Sequence, residues 1–204
     1  MLVGCILGGG AATRFGGIDK LALKVDGVTV CQRLVEALSP IVDDIVVATG
    51  AAGRAPSEAV PAHVRLVYDA APGLGPLAGL AAAFAQTAAA AIVLVGGDMP
   101  FITTAVLRPL IAAHRAGHDG AAYWVNGRLE PLLALYGGRM RPQVDALLSR
   151  GTRRLGDVLE KSMGNICRLT EKDLASVDEH FRCLTNLNSA QDVARIRSSE
   201  KIRP

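Results

Sequence analysis

Aromatic residues are scarce. One Trp, three Tyr and four Phe make up 4% of the 204 residues. So few rings disfavour the stacking platforms by which proteins hold single-stranded nucleic acid. Net charge is also small, +3 at pH 7. That suits a small anionic ligand and does not call for a nucleic-acid partner. Cysteines number four, at 5, 31, 167 and 183, with no C-x-x-C pair. This spacing disfavours a structural zinc, and a chain of this size does not need a disulfide framework. The expectation is reduced, mostly packed thiols in a cytoplasmic protein. No apolar run reaches the length of a membrane span; the longest candidate, Ala88 to Val95, stops at Gly96. Leu2-Val3-Gly4-Cys5 has the look of a lipoprotein box, but no charged and then apolar region precedes it.

What is abundant is small apolar material: 50% hydrophobic against 20% charged residues, enough for a sizeable core. Apolar bursts alternate with helical spacing. Val3–Leu7, Ile45–Ala48, Val64–Tyr68 and Ile92–Val95 read as strands. Cys31, Leu34, Val35 and Leu38 mark one helix face, and Leu107, Leu110, Ile111 and His114 another. Leu77–Ala90 is alanine-rich and helical by propensity. Strands that are apolar throughout predict a parallel sheet covered on both sides. After Gly120, Ala121–Val125 and Leu132–Tyr136 read as strands split by an Asn126-Gly127 turn, a strong hairpin signal. Helices follow around Met140–Leu148 and Leu155–Lys161, then a short strand at 165–169 and a last helix at 190–196. The expected architecture is a single α/β domain over residues 1–197, a three-layer Rossmann-like fold with a mostly parallel central sheet. Residues 198–204 read as a flexible tail.

The most informative stretch follows the first strand: Leu7-Gly8-Gly9-Gly10-Ala11-Ala12-Thr13-Arg14-Phe15-Gly16-Gly17-Ile18-Asp19-Lys20. Glycines at a strand end let backbone N–H groups crowd a phosphate, because no Cβ blocks the approach. Arg14 and Lys20 add a planar fork of donors and a point charge. The dinucleotide fingerprint G-x-G-x-x-G fails at Thr13, and the P-loop fails because Gly17 is followed by Ile18.

Further along, Asp98 follows the strand Ile92–Val95 in Gly96-Gly97-Asp98-Met99-Pro100. Ligands of open parallel sheets sit outside the carboxyl ends of the strands, and a carboxylate there can hold Mg²⁺. The same Asp can equally be a turn residue. Asp69 ends the strand Val64–Tyr68, ahead of Gly75-Pro76-Leu77-Ala78-Gly79, where Pro76 suits the first position of a helix.

The first loop resembles L-x-G-G-x-x-x-R-x-G-G-x-D-K, the signature of the molybdenum cofactor guanylyltransferases, and the resemblance extends over most of the chain. It implies transfer of GMP from Mg-GTP to molybdopterin, giving molybdopterin guanine dinucleotide and pyrophosphate. By this resemblance Arg14, Lys20 and Asp98 are catalytic, and Asp98 is the Mg²⁺ ligand. Leu7, Gly8, Gly9, Gly10, Gly17, Lys20, Asp69, Gly79 and Asp98 border the nucleotide. Arg154, beside Arg153, and Asn186 and Asn188, in an N-x-N segment, fall on the pterin side, as does Arg128–Leu132. A basic helix start at Arg153-Arg154 and an N-cap at Asn188 are the plainer alternatives. Two departures stand out. Gly8 replaces the family's usual Ala, and no Asn occurs at Ala48–Gly50, where the family contacts guanine. A cytidylyltransferase using CTP and a non-catalytic GTP- and pterin-binding module therefore stay open. Implied partners are GTP, molybdopterin and molybdoenzyme chaperones, with no nucleic acid and no membrane, in a monomer or weak homo-oligomer.

Overall fold

The computed structural model of the protein describes residues 1–8, 19–51, 58–70, 73–162, 164–187 and 192. Among these, seven strands form one sheet in the order β5-β4-β1-β6-β8-β7-β9. They are β1 (Leu2–Leu7), β4 (Asp44–Ala51), β5 (Arg65–Asp69), β6 (Ala91–Gly96), β7 (Gly120–Val125), β8 (Arg128–Gly137) and β9 (Ile166–Leu169). The two-residue strands β2 (Lys24–Val25) and β3 (Val28–Thr29) make a separate hairpin. Asp26 and Gly27, both at positive φ, turn it.

Neighbours β5, β4, β1 and β6 run parallel, and β7 pairs parallel with β9. Only β8 runs against its neighbours β6 and β7. Six of the seven strands therefore end at the same edge of the sheet. The expected mostly parallel three-layer fold is what forms, and the antiparallel β8 is the reversal that the Asn126-Gly127 turn creates. Both turn residues take positive φ, 51° and 75°.

Helices α1 (Val30–Leu38), α3 (Thr104–Arg115) and α6 (Glu171–Ala175) cover one face of the sheet. Helices α2 (Pro76–Gln86), α4 (Arg141–Ser149) and α5 (Gly156–Glu160) cover the other. Because side chains alternate along a strand, each strand feeds both layers. In β6, Val93 and Val95 enter one core while Ile92 and Leu94 enter the other, all fully buried. Each such side chain contributes about 1.5–3 kcal/mol of burial. Thr29 caps α1, its hydroxyl accepting from the Gln32 N–H at 3.2 Å.

Two expectations shift in detail, and one helix is added. The helix read as Leu77–Ala90 stops at Gln86, where the Thr87 hydroxyl bonds back to the Ala83 carbonyl and the chain turns toward β6. Strand β8 begins at Arg128 rather than Leu132, because pairing resumes directly after the turn. Helix α6 was not read from the sequence; its signal is a capping box in which Thr170 and Asp173 satisfy each other's backbone N–H. The helix expected at 190–196 and the tail at 198–204 lie outside the described residues, Asp192 apart.

Candidate active site

The ends of the parallel strands gather most of the expected residues that the structure describes. Strand β1 delivers Leu7 and Gly8, β6 delivers Gly96-Gly97-Asp98, β4 delivers Thr49 and β5 delivers Asp69. Lys20 opens a short 3₁₀ turn, Lys20–Ala22, capped by the Asp19 carboxylate on the Leu21 N–H at 3.1 Å. Leu21 is buried and anchors this turn in the core. The turn then holds Lys20 Nζ 2.8 Å from Asp98 Oδ2, with both side chains partly exposed.

The backbone beneath this pair is tight. The Gly97 N–H donates to the Leu7 carbonyl at 3.1 Å, and a Cβ on Gly97 would lie 2.6 Å from that oxygen. A Cβ on Gly96 would lie 3.0 Å from Asp98 Oδ1. Both glycines are needed for the carboxylate to sit over the strand ends. Gly96 and Gly97 were noted only as neighbours of Asp98; the doubled glycine before the acid was the available signal. The Gly8 N–H is taken by the Ala48 carbonyl at 2.9 Å. A Cβ there would meet Leu21 Cδ1 at 2.7 Å, so glycine lets the anchoring leucine close in. Gly79 sits in the first turns of α2, where a Cβ would be 2.6 Å from Leu7 Cδ2 and 3.2 Å from Ala48 Cβ. Its position serves the close approach of helix to sheet.

Away from Asp98 along the same edge, Asp69 has a buried Oδ1 with no hydrogen-bond partner among the described residues. Burial raises its carboxyl above the ordinary value of 3.8. The buried Thr49 hydroxyl is likewise without a partner. Buried polar atoms are normally satisfied, and among the described residues nothing satisfies either of these two. Thr49 falls within Ala48–Gly50, where the family's asparagine is missing. It was not singled out in the sequence, because a lone Thr in an apolar strand carries no signal until its burial is known.

On the other side of Asp98, Gly75 at φ +78° precedes Pro76, the first residue of α2. A Cβ on Gly75 would lie 3.1 Å from the Arg153 carbonyl, so the paired-arginine segment packs on this helix N-terminus. A cavity of about 340 Å³ opens there, lined by Pro76, Arg128, Glu130, Leu132 and Arg154 among others. Arg154 is exposed and reaches Asp157 at 3.7 Å. Asp157 also accepts from Lys161 at 2.7 Å, and these cations hold its carboxyl below the usual range. Asn186 is exposed, and the next residue, Leu187, donates its N–H to the Asp98 carbonyl at 2.7 Å. The C-terminal segment is thereby tied to the strand end that bears the acid. Arg14, Gly9, Gly10, Gly17 and Asn188 lie outside the described residues. A second cleft, about 420 Å³ and lined by Arg33, Glu36, Phe101, Thr103, Asp178 and Arg182 among others, contains none of the expected site residues.

The donor set at Asp98 suits a hard divalent cation, which takes carboxylate oxygen and keeps phosphates and water in its shell. Among the described residues no cluster of three or more His, Cys, Asp or Glu forms a self-sufficient metal cage. A cation at Asp98 would therefore share its shell with a substrate. Two of the histidines are engaged elsewhere: the His114 ring contacts the His118 carbonyl and His118 contacts Asn165. Among the described residues no helix is long and apolar enough to cross a membrane.

The family model described as the MobA-like NTP transferase domain matches residues 4–166. A protein named molybdenum cofactor guanylyltransferase from Serratia proteamaculans is 33% identical over 76% of this chain and 77% of its own length. A probable molybdenum cofactor guanylyltransferase from Pyrococcus furiosus is 29% identical and covers 97% of both chains. The crystal structure of molybdopterin-guanine dinucleotide biosynthesis protein A from Archaeoglobus fulgidus superposes with a TM-score of 0.79 at 24% identity, over 99% of this chain and 100% of that one. The chain belongs to the MobA-like NTP transferase family of nucleotidyltransferases.

Proposed function

We propose that the protein transfers GMP from GTP to the terminal phosphate of molybdopterin, forming molybdopterin guanine dinucleotide and pyrophosphate. The observation that carries this reading is the Lys20–Asp98 pair, 2.8 Å apart at the shared carboxyl edge of the parallel strands. A cation and a carboxylate held together there offer one group to phosphate oxygens and one to a divalent ion. Mg²⁺ on Asp98 would offset the charge of the triphosphate. Lys20 and Arg14 would hold the triphosphate and the departing pyrophosphate.

The chemistry asks for little else. An oxygen of the acceptor phosphate attacks the α-phosphorus of GTP. That P–O bond forms as the bond to the β-phosphate oxygen breaks, and the electron pair leaves with pyrophosphate. The attacking phosphate is already anionic, so no side chain must remove a proton. This accords with the engagement of His114 and His118 elsewhere. Catalysis of this kind rests on positioning and charge stabilisation. The nucleoside lies toward β4 and β5, where the Asp69 oxygen, without a partner among the described residues, is an acceptor for ribose hydroxyls or base N–H groups. Guanine offers N1–H and N2–H₂ side by side, which a carboxylate can accept together. The acceptor lies toward α2 and β8, where Arg128 and Arg154 line the 340 Å³ cavity beside a helix N-terminus.

The test is incubation of the full chain with α-labelled GTP, Mg²⁺ and molybdopterin. Labelled dinucleotide and stoichiometric pyrophosphate, abolished by EDTA, are expected. Equal turnover with CTP would overturn the base assignment. GTP binding without transfer would leave a binding module.

A further inference from the structure

Among the described residues, two large apolar side chains are exposed: the N-terminal Met1 and Trp124, the latter 38% accessible. Trp124 is the single tryptophan of the chain. It lies at the carboxyl end of β7, the same edge of the sheet that carries Asp98. Its strand neighbours Tyr123 and Val125 are buried in the α1/α3 core. By alternation Trp124 faces the opposite side, that of α2 and α5.

Three features converge on it. The Arg168 guanidinium, from the edge strand β9, lies 5.0 Å from the indole centroid and fixes the plane of the ring. On the neighbouring β8, Leu129 stands opposite Trp124 and lines the 340 Å³ cavity with Arg128, Glu130 and Arg154. Finally, the ladder between β7 and β8 is broken beside it: Ala122 pairs with Ala134 but Trp124 with Leu129, so Glu130–Leu133 bulge opposite Tyr123. The bulge is pinned by the Tyr136 hydroxyl on the Pro131 carbonyl at 2.8 Å and by the Glu130 carboxylate on the Leu132 N–H at 3.1 Å. Bulges of this kind re-aim side chains next to binding sites. Strands β6 and β7 are separated by β8 alone, so Trp124 and Asp98, two residues past the end of β6, share the carboxyl edge two strands apart.

We propose that Trp124, braced by Arg168, is the platform on which the fused-ring end of the acceptor stacks while its phosphate reaches the Lys20–Asp98 pair. This rests on the functional reading above and adds a positioning surface at the far end of the acceptor groove. An aromatic ring grips a planar heterocycle through its face without fixing its hydrogen-bonding edge. The polar rim of Arg128, Glu130 and Arg154 is left to read that edge.

Because the tryptophan is unique, its fluorescence reports the contact directly. The full chain is titrated with neopterin monophosphate, a phosphorylated pterin, and GMP transfer to molybdopterin is measured in parallel for wild type, Trp124→Ala, Trp124→Phe and Arg168→Ala. Saturable quenching in the wild type is expected. Trp124→Ala should raise the acceptor KM about ten-fold, with the GTP KM unchanged. Trp124→Phe should recover most of that loss, and Arg168→Ala should show a smaller rise. Unchanged melting temperatures establish that the variants are folded. Transfer with an unchanged acceptor KM in Trp124→Ala overturns the platform and leaves the functional reading intact. Equal rises in both KM values overturn it as well, since they mark a general loss of structure. No transfer by the wild-type protein overturns the functional reading, and the platform with it.

Discussion

Lys20 Nζ lies 2.8 Å from Asp98 Oδ2, although 78 positions separate the two residues in the chain. Both side chains keep part of their surface in water, 31% and 21%. An ion pair this open contributes about 0–1 kcal/mol to stability. Its worth therefore lies in charge placement. Asp98→Asn and Lys20→Met should each lower kcat for nucleotidyl transfer by about 10²–10³-fold, the scale of losing one electrostatic contact to a transition state. The melting temperature should move little. Asp98→Asn with wild-type turnover in Mg²⁺ would remove the metal role from this residue.

Asp69 gives a pH dependence with a definite sign. Its buried oxygen has no partner among the described residues, and burial raises its carboxyl above 3.8. The folded protein thus binds this proton more tightly than the unfolded chain does. As pH rises from the unfolded value through the raised folded value, stability falls, and above that it levels off. Asp69→Asn removes the term. The melting temperature of the variant minus that of wild type should become more positive from pH 4 upward and then plateau, while GTP binding weakens. Calorimetry across pH 4–8 measures the first effect and titration with GTP the second. A difference that is flat with pH would mean the carboxylate is not destabilised in the fold.

The sheet was legible in the sequence because its strands are uniformly apolar and its helices carry the 3.6-residue period. The Asn126-Gly127 turn even located the reversal that makes β8 antiparallel. Lys20 and Asp98 were legible as loop chemistry at strand ends. Their pairing was not, since it depends on Leu21 anchoring the turn, on Gly97 letting the end of β6 close on Leu7 and on Gly96 leaving room for the Asp98 carboxylate. Thr49 and Trp124 were invisible for a different reason. A threonine in a strand and a tryptophan in a hairpin are ordinary until their burial is known, and here one is unusually enclosed and the other unusually exposed.

The thiols lead to a chemical prediction. Burial pushes Cys5 up to about 12 and Cys31 up to about 11, and it raises Cys183 as well. The nucleophile in alkylation is the thiolate, so these three stay inert at pH 8. Cys167, on the edge strand β9, is raised less severely and is only half-buried. Brief iodoacetamide treatment of the native protein followed by peptide mass spectrometry should find Cys167 modified first, and all four after denaturation. Early labelling of Cys5 would show that the β1 layer opens readily.

Gly97 is the position where fold and site are hardest to separate. Its N–H holds the Leu7 carbonyl at 3.1 Å, and an added Cβ would stand 2.6 Å from that same oxygen. A backbone atom cannot swing aside as a side chain can, so Gly97→Ala must push β6 and β1 apart at their carboxyl ends. Overpacking of this sort costs about 1–3 kcal/mol. For a domain of this size that is a fall of about 2–12 °C in melting temperature. The same displacement moves Asp98, the next residue, relative to Lys20, so turnover should drop further than stability. Gly8→Ala is the matched comparison. Its added Cβ would meet side chains only, Leu21 Cδ1 at 2.7 Å and Val47 Cγ1 at 3.1 Å, and a side-chain end yields where a backbone oxygen cannot, so that variant should lose less of both than Gly97→Ala. If the two variants lose stability and turnover equally, the fixed backbone contact at Gly97 is not what holds Asp98 in place.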